Sequence, residues 1–132
     1  MSFRWTDFLR ISKLLYNYAI KNAKTPESVE AAYRSSVSRA YYSAYGHSYE
    51  CAQNHLNFTG IGDGRDHKRL REHFTKNGYP AIKRNLLNLW NWRLACDYKI
   101  FNINASTQAK NSISTADNII KDINDILSKK KQ

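Results

Sequence analysis

Cysteine, proline and glycine are all scarce in this chain, and each shortage excludes something. Two cysteines, Cys51 and Cys96, are too few and too far apart to form a disulfide framework. With 5 Gly and 2 Pro the chain is poor in the residues that punctuate many short strands, so helices are favoured over a sandwich or barrel. No window approaches the roughly 18 uninterrupted apolar residues that a spanning helix needs. No charged stub followed by an apolar run and a small-residue cleavage site opens the sequence, and the expected location is the cytoplasm, with no membrane partner. Acidic residues are also in deficit: 11 Asp and Glu against 21 Lys and Arg leave a formal charge of +10. Such a field attracts phosphates, acidic proteins or anionic surfaces without choosing among them.

What is present is enough for one domain. A chain of 132 residues buries a core without metals or disulfides, so 1–132 is read as a single domain, with 128–132 as a flexible basic tail. Hydrophobic content of 42% and charged content of 24% are those of an ordinary globular protein. Nine Tyr, 5 Phe and 3 Trp offer flat faces on which bases can stack, although most aromatics in a small bundle belong to its core.

Periodicity and punctuation give five helices and an all-α, up-and-down bundle. The first spans about Thr6 to Ala23, with an apolar stripe of Leu9, Ile11, Leu14, Leu15, Tyr18 and Ala19. Thr25 and Pro26 open a long second helix to about Leu56, Thr as cap and Pro at the first turn. It carries two rows at i, i+4: small residues at Ser36, Ala40, Ala44, Ser48 and Ala52, and bulky ones at Tyr33, Val37, Tyr41, Tyr45 and Tyr49. A neighbour can approach closely along the first row, so this helix is expected at the centre, with Gly46 marking a close backbone approach or a kink. A linker bearing Gly60, Gly62 and Gly64 leads to a short helix from Asp66 to Lys76, closed by Asn77 and Gly78. Tyr79-Pro80 opens the fourth helix, to about Tyr98, and the fifth spans about Ser106 to Leu127.

Stepping back from Asp97 by threes and fours passes Arg93, Leu89 or Trp90, Leu86 and Ile82, which puts an Arg and an Asp on an apolar face. Charges turned inward need partners. Because Arg before Asp at i, i+4 is the weaker orientation, Arg39 on the second helix is expected to lie within salt-bridge distance of Asp97. That pair either locks two helices together or holds an Arg ready for a phosphate. His47, Cys51 and His55 fall at i, i+4 and i+8, but the outer two are separated by roughly 12 Å of helix, too far for one ion; no metal and no cofactor are assigned. The Gly60, Gly62, Gly64 spacing reads as a flexible linker, with a phosphate cradle as the alternative. From Gly60 to Arg84 seven basic residues (Arg65, Lys68, Arg69, Arg71, Lys76, Lys83 and Arg84) face three acidic ones, either a solvated face or a footprint for an RNA backbone.

Ser38-Arg39-Ala40-Tyr41-Tyr42, then His67-Lys68 ahead of a short helix, then Arg93 to Tyr98, then a last helix with Ala116 and repeated Ile, resemble the small stand-alone HEPN proteins of bacteria and archaea over about Val29 to Leu127. The resemblance implies a helical bundle, homodimerisation and association with RNA or a nucleotide. Many such proteins are metal-independent ribonucleases, often toxins or defence components with a nucleotidyltransferase antitoxin, and use an Arg followed by four to six residues and then a His. Arg93 matches that Arg, but Asp97 and Tyr98 follow it and no His lies within reach on that helix. Proton transfer near neutral pH suits a His better than a Tyr titrating near ~10. The candidate catalytic residues implied are therefore Arg93, Asp97 and Tyr98, with His47 or His67 brought to Arg93 by the fold; Arg39, Lys68, Arg69, Arg71 and Arg84 are the candidate RNA contacts. The rival readings are a non-catalytic module that binds a nucleotide or a nucleotidyltransferase, and a structural helical dimer.

Overall fold

The computed structural model describes residues 3–101 and 103–130. Among them are five helices and no strand: α1 (Asp7–Lys21), α2 (Pro26–His55), α3 (Asp66–Lys76), α4 (Pro80–Tyr98) and α5 (Ala105–Lys130). None is long and apolar enough to cross a membrane. The boundaries follow local chemistry. Thr25 is extended, its hydroxyl accepts the Ser28 amide at 3.0 Å, and Pro26 occupies the first turn where its missing N–H costs nothing. α5 continues to Lys130, past the expected end at Leu127, so Lys129 and Lys130 are helical; residues 131–132 of the tail lie outside the described residues.

α2 is the central helix and packs against the other four. Its row of small residues is wholly buried, from Ser36 through Ala40, Ala44 and Ser48 to Ala52. At the α1 crossing the Ser12 hydroxyl donates to the Ser36 carbonyl at 2.6 Å, and the Ser36 hydroxyl donates back to the Ser12 carbonyl at 2.8 Å. Two small polar side chains thus satisfy each other where larger ones would hold the helices apart. Gly46 serves the same closeness: a Cβ there would sit 2.0 Å from the indole of Trp5.

α1 does not turn its expected stripe inward. Leu9, Ser12 and Ala19 are buried, while Ile11, Leu14 and Tyr18 remain 42%, 58% and 45% exposed. The apolar residues of α1 spread over too wide an arc for one seam, and the Ser12–Ser36 contact chose the seam. α4 buries Ile82, Leu86, Leu89 and Cys96, a line that includes the position of Arg93 but leaves Asp97 one residue, about 100° of helix, to the side.

Candidate functional site

The expected bridge from Arg39 to Asp97 does not form. Asp97 pairs instead with Arg93 on its own helix, Nε to Oδ2 at 2.9 Å. Arg39 lies over the rings of Phe8, 4.8 Å from the centroid, and Tyr42, at 5.6 Å. Arg39 and Asp97 nonetheless border the same cleft, of about 370 Å³, with Arg34, Ser35, Ser38 and Cys96. The weaker i, i+4 orientation is the one used because Asp97 is rotated off the buried line and Arg39 already has two aromatic faces beneath it.

Arg39 begins a band of guanidinium groups laid on rings. Tyr42 is shared with Arg93, whose guanidinium stands 5.2 Å from its centroid and 5.3 Å from that of Trp90. Trp90 is shared in turn with Arg71, at 5.7 Å. The band crosses from α2 over α4 to α3 because each helix presents same-face neighbours: Tyr41 and Tyr45 on α2 and His67 and Arg71 on α3 at i, i+4, and Trp90 and Arg93 on α4 at i, i+3.

His67 sits at the centre. Its ring stacks on Tyr45 with centroids 4.4 Å apart and lies 4.4 Å from Trp90. Nδ1 shares a hydrogen bond of 2.5 Å with the Tyr41 hydroxyl. Burial, then the positive charges of Arg93 and Arg71, push the imidazole down from its ordinary range to about 4, against a smaller pull from Asp66. It is therefore neutral near pH 7. Burial, first of all, also holds the Tyr41 and Tyr45 phenols above their ordinary range, so both keep their protons.

The fold thus brings His67 to Arg93, as one of the two expected candidates. It does not bring His47, which lies two residues past Tyr45, about 200° around α2, and bonds through Nε2 to Asn124 of α5 at 2.9 Å. Tyr98 is 70% exposed at the end of α4. His47, Cys51 and His55 border a small hollow of about 140 Å³ against Leu127, and no group of three metal-ligating side chains occurs among the described residues.

The expected RNA contacts divide. Lys68 and Arg84 are exposed. Arg69 is engaged with Asp66 at 2.7 Å and donates to the Thr59 carbonyl at 3.1 Å. Arg71 is only 9% exposed, and its Nη1 has no hydrogen-bond partner. The glycine loop is no phosphate cradle, since the Ile61 and Gly62 amides donate to the Asp66 carboxylate at 2.9 and 2.8 Å. Burial raises the Asp66 carboxyl, but those amides, Arg69 and Tyr49 outweigh it and hold the group at about 2. Gly60 is required here because a Cβ would fall 1.5 Å from the Tyr49 hydroxyl, and Gly62 because its φ is +96°.

Tyr41, Tyr42, Tyr45 and Trp90 belong to the core or pack against it, as expected, and they also form the floor of the site, a second role that the sequence reading does not assign to them. Their signal was the match of two i, i+4 rows, Tyr41 and Tyr45 against His67 and Arg71. No family model matches the chain, nor does any curated protein or solved structure.

Proposed function

We propose that the chain is a HEPN-type protein that binds single-stranded RNA along the Arg39–Arg93–Arg71 band, and that His67 with Arg93 makes it a metal-independent endoribonuclease. The observation that carries this reading is the gathering of three guanidinium groups and one neutral imidazole on a continuous aromatic floor. Cations hold the backbone, rings stack bases, and a neutral imidazole accepts a proton. In the step proposed, His67 takes the proton of a ribose 2′-hydroxyl, the 2′-oxygen bonds to phosphorus, and the bond from phosphorus to the 5′-oxygen breaks, that oxygen taking its proton from water. Arg93, steadied by Asp97, offsets the charge that gathers on the phosphoryl oxygens. The resemblance supports the His67–Arg93 pairing as a substitute for a His on the Arg helix, and it supports a homodimer and a nucleotidyltransferase antitoxin as partners. Tyr98, Ile100 and Phe101, 70%, 79% and 77% exposed at and just beyond the end of α4, supply apolar surface for that dimer.

The test is incubation of the purified protein with mixed single-stranded RNA in EDTA, beside His67→Ala and Arg93→Ala. Cleavage by the wild type that both variants lose supports the enzyme; retained cleavage in His67→Ala removes His67 from the role. A second reading has its own observation. The Arg93 side chain is 14% exposed and committed to Asp97, as in a group that fastens a bundle. Binding without cleavage, with Arg93→Ala strongly destabilised, favours the non-catalytic module or structural dimer.

A further inference from the structure

Arg71 is the one strongly buried cation of the band that no carboxylate answers. It is 9% exposed, Nη1 lacks a hydrogen-bond partner, and no ion pair involves it among the described residues. The nearby acids are spent elsewhere: Asp66 on Arg69 and the loop amides, Asp97 on Arg93. Glu72 is 60% exposed on its side chain and stands 3.9 Å from Lys68. A buried charge without a partner is expensive, and the fold does not hold one for its own stability. One turn before Arg71 on α3 is His67, and both lie against Trp90. Arg93 meets the same ring from α4.

We propose that Arg71, with His67 and Arg93, forms a subsite for a phosphoryl group at the junction of α2, α3 and α4, and that His67 takes up a proton when the subsite fills. The subsite deepens the RNA reading, and its phosphoryl group is either the terminal monoester or an internal diester of the strand. The chemistry is complementary: two guanidinium groups supply forked donors for phosphoryl oxygens, and the imidazole supplies a third donor once protonated. The proton linkage follows from the surroundings of His67. Toward it face Tyr41, Tyr42 and Tyr45 from α2, Asp66 and Arg71 from α3, and Arg93, backed by Asp97, from α4. Of these the two arginines oppose a charge on the ring, and an anion placed between them removes that opposition.

The experiment uses the intact chain and inorganic phosphate, at ionic strength matched with chloride. Thermal unfolding and the ring-proton NMR signal of His67, assigned by comparison with His67→Asn, are followed as phosphate is added. A saturable rise in Tm and an upward move of the His67 midpoint by about one pH unit are expected. Arg71→Met should lose both responses while unfolding no lower than the wild type in phosphate-free buffer, because it removes an unanswered charge and keeps the packing stem. Arg71→Lys should retain part of each. A 5′-phosphorylated and a 5′-hydroxyl hexanucleotide then distinguish the source: at least tenfold tighter binding of the first, lost in Arg71→Met, identifies a terminal monoester, and equal Arg71-dependent binding an internal diester. Phosphate binding undiminished in Arg71→Met overturns the proposal, as does a wild type whose Tm and His67 signal ignore phosphate. Because the first arm contains no RNA, a phosphate response without RNA binding defeats the RNA reading and leaves the subsite standing.

Discussion

Arg93 and Asp97 are joined at 2.9 Å one turn apart on α4, their side chains 14% and 26% exposed, while Arg39, beside the same cleft, makes no bond to Asp97. A partly buried pair in the weaker orientation should couple by about 0.5–1 kcal/mol. A double-mutant cycle of Arg93→Ala and Asp97→Ala in urea reads that coupling. The parallel cycle of Arg39→Ala and Asp97→Ala should be additive within about 0.3 kcal/mol. Coupling in the second cycle and none in the first would restore the bridge between helices that the sequence suggested.

Acid should weaken the fold in two stages. The folded-state value of His67, about 4, lies below the ordinary 6.5, so the unfolded chain takes the proton first and stability falls as pH drops from about 6.5 toward 4. Asp66, held near 2 against an ordinary 3.8, contributes stability that is present above about 4 and is lost as pH falls through 2. His67→Phe should remove the upper stage and Asp66→Asn the lower one. Asp66→Asn should also lower stability at pH 7, on the order of 2 kcal/mol, since the carboxylate serves two amides and Arg69. Urea midpoints across pH 2.5 to 8 check both, and an unchanged upper stage in His67→Phe would assign it to another group.

The helices were legible because their signals are local. Thr25-Pro26, Asn77-Gly78 and the rows of α2 lie within a few residues of one another, and the structure keeps all of them. Gly46 was legible as an oddity whose explanation, the indole of Trp5, is forty-one residues earlier in the chain. The site was legible in its residue types and not in its partnerships. His67 and Arg93 were both candidates, but only helix packing decides that His67 joins Arg93 while His47 faces α5. Arg69 and Arg71 read like their basic neighbours, yet one is occupied by Asp66 and the other is buried, because a two-residue step on α3 carries a side chain from the loop side to the aromatic floor.

Gly46 gives a prediction whose sign reverses with context. In the wild type, Gly46→Ala places a methyl 2.0 Å from the Trp5 ring, and the overlap should cost about 1–3 kcal/mol. In a Trp5→Ala background the space is open, and the higher helix propensity of alanine should make the same change stabilising by up to about 1 kcal/mol. Thermal unfolding of the four proteins measures it. Equal effects in both backgrounds would mean that Trp5 moves aside freely and does not seat the start of α1 against α2.

RNA affinity should depend on the basic residues that are free, not on all that are basic. Each Lys or Arg that neutralises a phosphate releases counterions, and on a single strand each such contact adds about 0.7 to the slope of log affinity against log salt. Lys68, 77% exposed on its side chain and only loosely paired with the exposed Glu72 at 3.9 Å, and the exposed Arg84 have charge to give, so Lys68→Ala with Arg84→Ala should flatten the slope by roughly 1.4. Arg69 differs. Its guanidinium is bound to Asp66 and to the Thr59 carbonyl, so Arg69→Ala should lower the urea midpoint by loosening the glycine loop and leave the slope nearly unchanged. Fluorescence anisotropy with a labelled single strand from 25 to about 250 mM salt reads the slopes, and urea melts of the same preparations read stability. A flattened slope in Arg69→Ala with an unchanged midpoint would route the strand over the loop instead of across α4. A wild type with no salt-dependent binding at the lowest ionic strength would mean that the +10 charge serves another partner, and the protein-binding module would then be the better reading.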